Sequence, residues 1–181
     1  YDLAMKTGAP VIGLVDCAGM RLQEATDALE AFGGIYLKQT MASGMIPQIT
    51  AVFGTCGGGM AVVPALTDFT FIESKKGKMF VNSPNALDGN YTEKCDTASA
   101  EFQSKETGLI DAVESEEEIL AEIRQLIGLL PSNFEDNDSF EECTDDLNRA
   151  CEDIAACAGD TSLALSRIAD NGIFFETKRD Y

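Results

Sequence analysis

Two short apolar runs with a helical stretch between them constrain this chain most. PVIGLVD at residues 10–16 and QITAVF at 48–53 each read as a buried strand. Between them, over 22–43, Ala25, Leu29, Phe32, Tyr36 and Thr40 fall on one helical stripe. A helical run at 58–66, a third strand at DFTFIE (68–73) and a further short strand at KMFVN (78–82) continue the alternation. Strand, helix, strand, helix, strand is the order of right-handed crossovers, so the expected fold class is α/β with a parallel sheet.

Downstream the pattern loosens. Residues 83–96, with Pro84, Gly89 and Asn90, read as a loop, 97–107 as a helix, and LIDAV at 109–113 as a short strand. Ser115 is placed to cap a helix and Glu118 to complete the capping box. Ile119, Ile123, Leu126, Ile127 and Leu130 give that helix an apolar face, and Pro131 stops it. Residues 132–150 read as a polar, acidic linker. Asp136-Asn137-Asp138 lacks the alternating spacing and central glycine of a calcium loop. Leu163, Leu165, Ile168, Ile173, Phe174 and Phe175 open a new apolar segment with little after it to pack against, while YDLAMKTGAP reads as the end of a helix already under way. Together these suggest a piece of a longer protein.

Charge and residue usage exclude several classes. With 31 Asp+Glu against 13 Lys+Arg and a net charge of −18, the chain offers no basic face for a nucleic acid. No apolar run is long enough for membrane insertion, and no secretory leader is expected. Histidine is absent, which removes Ser-His-Asp and Cys-His systems and the commonest metal ligand. Catalysis would have to rest on carboxylates, backbone dipoles or a cofactor. The six cysteines, Cys17, Cys56, Cys95, Cys143, Cys151 and Cys157, form no CxxC pair and read as reduced thiols of a cytoplasmic protein; the last three fit no zinc spacing, and no metal site is expected.

Two strand-to-helix junctions carry glycine: DCAGMRLQEA (16–25) and GTCGGGM (54–60). In a parallel sheet both lie at the carboxyl ends of strands, where ligands bind. Unpaired N–H groups there favour negative charge, and two adjacent junctions can offer two donors to one oxygen, an oxyanion hole suited to a thioester becoming an enolate. Glycine also serves plain strand–helix packing at such turns. Neither turn is a dinucleotide or P-loop fingerprint. Arg21 can hold a phosphate or pair with Glu24; Glu24 can act as a base or complement the helix dipole.

These residues resemble the carboxyltransferase subunit of biotin-dependent acyl-CoA carboxylases and decarboxylases, such as propionyl-CoA and acetyl-CoA carboxylases. The family's D-S-G-G-A-R-I-Q-E stands here as Asp16-Cys17-Ala18-Gly19-Met20-Arg21-Leu22-Gln23-Glu24. Its G-P-C-A-G-G-A-x-x-x-P-A-L-x-D-F stands as Gly54-Thr55-Cys56-Gly57-Gly58-Gly59-Met60 through Pro64-Ala65-Leu66 and Asp68-Phe69. KMFVNSP, TGLIDAV and ALSRIADNGIFFETKRDY extend the likeness over nearly the whole chain.

The resemblance implies a crotonase-like spiral of ββα units, present as a partial domain. Residues 1–131 would be the later part of the family's N-terminal domain, 132–150 a linker, and 151–181 the start of its C-terminal domain. It implies that the N–H of Met20 and that of Gly57 or Gly58 receive the thioester oxygen, with Ala18, Gly19, Arg21, Gly59 and Met60 around the acyl-CoA. Biotin would arrive on a separate biotin carboxyl carrier protein, and further carboxyltransferase subunits would form a homo-oligomer whose neighbouring copy supplies the biotin hole. The family's mechanism uses no protein acid or base, in keeping with the missing histidine. The sequence departs from the family at Met20, where a smaller residue is usual, at Gln103, in place of a histidine, and at Ser83, in place of a glycine. A crotonase-like hydratase or isomerase using Glu24, and a non-catalytic assembly fragment, are the alternative readings.

Overall fold

The computed structural model describes residues 1–87, 95–136, 143–146 and 148–181. The rest of the expected loop (88–94) and the central part of the acidic linker lie outside them, including Asn137 and Asp138 of the calcium-like triplet. The chain divides into two compact units, Tyr1–Asn137 with Thr177–Tyr181, and Asp138–Glu176.

In the first unit, helix α1 (Asp2–Thr7) ends at Gly8 and leads to strand β1 (Val11–Cys17). A single 3-10 turn at Leu22–Glu24 enters α2 (Ala25–Ala42), and β2 (Gln48–Gly57) follows. A second 3-10 turn, Gly58–Ala61, runs into the short α3 (Val62–Ala65). Then come β3 (Phe69–Glu73), β4 (Lys78–Phe80), α4 (Ala100–Thr107), β5 (Ala112–Glu114) and α5 (Glu116–Leu129). The named strands pair in parallel in the order β1-β2-β3-β5, as the alternation of elements requires. Strand β2 changes partner along its length. Ile49–Val52 pair with Phe69–Ile72 of β3, whereas Thr55–Gly57 pair with Lys78–Phe80 of β4.

One core cluster gathers Val15, Val52, Cys56, Ala61, Ile72, Met79, Ala100 and Ile110. From α5, Ile119, Ile123 and Leu126 are buried, while Ile127 and Leu130 are half-buried, which is the face its spacing gives. Its capping box is complete: Ser115 Oγ accepts from the Glu118 N–H and the Glu118 carboxylate accepts from the Ser115 N–H at 3.0 Å.

Three expectations change. Residues 10–16 form a strand, but not a buried one: β1 closes one edge of the sheet, and Ile12 and Leu14 face outward while Val15 enters the core. An edge strand of a parallel sheet is covered on at most one side here, so its alternate residues stay outside. On α2 the stripe Ala25–Leu29–Phe32–Tyr36–Thr40 is not the packed line. Ala28, Gln39 and Ala42 are buried, and Leu29 stands 57% exposed. A polar contact sets this rotation: Gln39 Nε2 donates to Val63 O at 3.2 Å, and Gln48 Nε2 donates to Gln39 O at 3.0 Å, so the helix turns an amide rather than Leu29 inward. The segment 109–113 becomes a ladder only from Ala112, because the buried Asp111 carboxylate is used to accept the Thr70 N–H at 2.7 Å. Burial pushes that carboxyl above its ordinary range, against the Thr70 N–H, which pulls it down.

In the second unit α6 (Thr161–Ile168) is capped by Asp160, whose Oδ1 accepts the Leu163 N–H at 2.9 Å. The Arg149 guanidinium closes its far end by donating to the carbonyls of Arg167, Ile168 and Ala169 and to the Asp145 carboxylate. Cys157 is the one buried residue among the described residues of this unit.

Candidate functional site

Cys17 and Cys56 are partners in the β1–β2 ladder, so both strands deliver their glycine turns at the same sheet end. The register slips between Val15↔Val52 and Cys17↔Cys56, leaving a bulge in β2. Asp16 fills it: Oδ1 accepts the Thr55 N–H at 2.9 Å, and a Cβ on Gly54 would fall 2.2 Å from the same oxygen. The bulge therefore needs both the carboxylate and the bare glycine.

The turns themselves meet backbone to backbone. A Cβ on Gly57 would stand 2.7 Å from the Ala18 carbonyl oxygen, and one on Gly19, where φ is 126°, would stand 3.3 Å from Gly57 O. Two side chains there would push the turns apart. Gly57 ends β2 opposite Phe80, and Gly58 opens the 3-10 turn at φ 61°. Among the described residues, no acceptor stands against the N–H of Met20, whereas Gly58 directly follows the Gly57–Phe80 pair of the β2–β4 ladder. The Met20 N–H is thus available to a ligand oxygen, and the first-turn N–H groups of the Gly58–Ala61 turn lie beside it without partners earlier in that turn.

Helix α2 braces the second turn from beneath. Tyr36 OH donates to Gly59 O, and a Cβ on Gly59 would stand 2.9 Å from that hydroxyl. Phe32 lies against Tyr36 with ring centroids 6.1 Å apart. Burial raises the Tyr36 pKa, with the Cys56 sulfur as a further cause, so the phenol remains a donor at neutral pH.

The remaining sequence-derived site residues scatter. Ala18 and Met20 are exposed on the first turn. Arg21 also faces solvent and pairs with Glu24 at 3.5 Å. Met60 packs against the core cluster, and its carbonyl accepts from Cys56 Sγ at 3.4 Å, so its side chain points away from the turns' outer surface. Gln103 is buried and structural: Nε2 donates to Thr97 O at 2.7 Å and to Met79 O at 3.2 Å, tying α4 to β4. Ser83 has φ −53°, a conformation that asks for no glycine. Asp16 and Tyr36 were not singled out as functional from the sequence. A carboxylate ending an apolar run and a phenol within a helical stretch carry no signal of what they reach across the fold. No group of three or more Cys, Asp or Glu among the described residues is placed to hold a metal ion, and no described helix is long and apolar enough to cross a membrane.

The architecture is that of a carboxyl transferase domain. The sequence matches the carboxyl transferase domain family over residues 1–181, and the chain belongs to that family. It is 35% identical over 190 residues to the methylmalonyl-CoA decarboxylase alpha subunit of Veillonella parvula, covering 99% of this chain and 37% of that protein. It is also 35% identical to the propionyl-CoA carboxylase carboxyltransferase subunit of Haloferax mediterranei, with the same coverage. The chain thus spans little more than a third of the length of these relatives. Among solved structures, the transcarboxylase 12S hexamer with hydrolysed methylmalonyl-CoA bound superposes with a TM-score of 0.89 at 29% identity, over 99% of this chain and 37% of that one. The geranyl-CoA carboxylase beta subunit of Pseudomonas aeruginosa, at 23% identity and a TM-score of 0.62, shares the fold.

Proposed function

We propose that this chain supplies the acyl-CoA half of a biotin-dependent carboxyltransferase site. The Met20 N–H and the Gly57 or Gly58 N–H receive the thioester carbonyl oxygen of an acyl-CoA. As the α-proton leaves, negative charge grows on that oxygen, and two fixed amide dipoles stabilise it without reorganising. The observation that carries the reading is the backbone contact between Ala18 and Gly57, which holds two donor-bearing turns side by side at one sheet end. Ala18, Gly19 and Gly59 shape the approach; Arg21, exposed at the rim, is placed for the charged part of the CoA. Of the carboxylates at the turns, Asp16 accepts the Thr55 N–H and Glu24 pairs with Arg21, so the chain's part is polarisation rather than proton transfer.

The described residues carry this one pair of glycine turns at the sheet end. Carboxybiotin, borne on a separate carrier protein, would supply the activated carboxyl group, and the hole that receives it would come from a neighbouring carboxyltransferase subunit. Residues 1–131 then correspond to the later part of the family's N-terminal domain, 132–150 to a linker and 151–181 to the start of its C-terminal domain. The protein is placed in the cytoplasm by this reading, and the isolated 181-residue chain is expected to be inactive.

The test is Gly57→Ala in the native protein with its partners, against Gly34→Ala, where an added Cβ meets nothing within 4 Å. Carboxyl transfer to acyl-CoA should fall about 10²–10³-fold in the first, the loss typical of one displaced oxyanion donor, and stay near the parent level in the second. Equal activity in both variants overturns the proposal. Crotonyl-CoA hydration abolished by Glu24→Gln would favour the hydratase reading instead.

A further inference from the structure

The geometry points to a modification site that the turns themselves do not require: Cys17 and Cys56 form a disulfide under peroxide, and the bond closes the acyl-CoA half-site. The two residues are direct partners across neighbouring parallel strands. Strands in a sheet lie about 4.8 Å apart, inside the Cα–Cα range of about 4.4–6.8 Å that a disulfide spans. Val15, Val52 and Cys56 belong to one core cluster, and Cys17 is the ladder partner of Cys56. Beyond the bulge filled by Asp16, the two cysteines are again paired in register.

Each thiol also latches one turn. Cys17 Sγ donates to Gly19 O and Cys56 Sγ donates to Met60 O, both at 3.4 Å. A disulfide removes both S–H donors at once and draws the strand ends together, so both turns lose a tether just where the donor amides project. Cys17 is half-buried and Cys56 fully buried, so Cys17 is the sulfur that meets the oxidant. Burial pushes the Cys56 thiol up to about 12, with Cys17 as a second cause, so Cys56 stays protonated at neutral pH.

The chemistry balances with hydrogen peroxide as oxidant. The Cys17 sulfur attacks the peroxide, its O–O bond breaks, and Cys17 becomes a sulfenic acid with release of one water. The Cys56 sulfur then attacks the Cys17 sulfur. The S–S bond forms as the S–O bond breaks, and the hydroxyl leaves with the Cys56 proton as a second water. Two thiols are oxidised and one peroxide is reduced. The loss of activity rests on the proposed function; formation of the bond does not.

The experiment treats the native protein with hydrogen peroxide, maps its peptides by mass spectrometry without reduction, and measures carboxyl transfer in parallel. A peptide joining Cys17 to Cys56 should appear, transfer should drop by about 10²-fold as for a displaced donor, and dithiothreitol should reverse both. Cys17→Ser, which keeps a hydroxyl facing Gly19 O, should give no linked peptide and show no peroxide sensitivity relative to its own untreated activity. Cys17 recovered as sulfinic acid with Cys56 free, or joined to another cysteine, overturns the pair. A linked peptide with undiminished transfer overturns the closure of the site. Should the untreated protein neither bind acyl-CoA nor transfer carboxyl, the functional reading fails, and the linked peptide still decides the disulfide.

Discussion

Gly59 offers its carbonyl to Tyr36, and an added Cβ at Gly59 would stand 2.9 Å from the same hydroxyl. This single contact couples a residue in the middle of α2 to the turn that presents the second set of amides. In Tyr36→Phe the ring still fills its place against Phe32, but the carbonyl loses its donor. The expected cost is about 0.5–1.5 kcal/mol of stability, the net worth of an ordinary hydrogen bond, read from urea denaturation. If Tyr36 positions the turn, acyl-CoA affinity should weaken as well; an unchanged affinity beside lowered stability would confine the phenol to a structural role. Asp16 acts on the other side of the same turns through the Thr55 N–H.

At the scale of the element, the stability of α5 carries a pH signature. The Ser115 hydroxyl and N–H hold the Glu118 carboxyl below its ordinary 4.5. Its folded pKa is depressed, so the contribution is fully present above the unfolded value and is lost as pH falls through the folded one. Glu118→Gln removes that part of the slope. Thermal melts from about pH 7 to about pH 3 should show the variant losing less stability on acidification than the parent, although it starts lower. Parallel curves for the two proteins would count against the box. Asp111 works in the opposite sense: burial raises its pKa, so its ionisation subtracts stability as pH rises through the folded value.

Across the whole molecule, stability is unevenly shared between the two units. The first buries β2 and β3 nearly throughout, with Ile49, Ala51, Val52, Phe71 and Ile72 at 1% exposure or less. The second has Cys157 as its one buried residue among those described, and depends on the Arg149 contacts and the Asp160 cap. Local opening follows buried apolar contact. Hydrogen exchange read by mass spectrometry should therefore find slow amides at Ile49–Val52 and Phe69–Ile72 and fast ones through α6. Comparable protection in α6 and β2 would contradict that division.

How much of this was legible in the sequence differs by the range of the interaction. The alternation of strands and helices, the α5 cap and the two glycine turns could be read directly, because period, capping chemistry and backbone freedom are local properties. The rotation of α2 could not: Gln39 is buried only because Val63 and Gln48 supply its partners, and both lie outside the helix. The exposed face of β1 was equally hidden, since a run of apolar residues does not say whether its strand is central or at an edge. By itself, then, the sequence determined the α/β class, the family and the two turns, because glycine records a backbone demand at its own position. Only the tertiary structure decided that Asp16 fills a bulge, that Tyr36 tethers Gly59 and that Cys17 pairs with Cys56, because each of these contacts joins residues more than twenty positions apart in the chain.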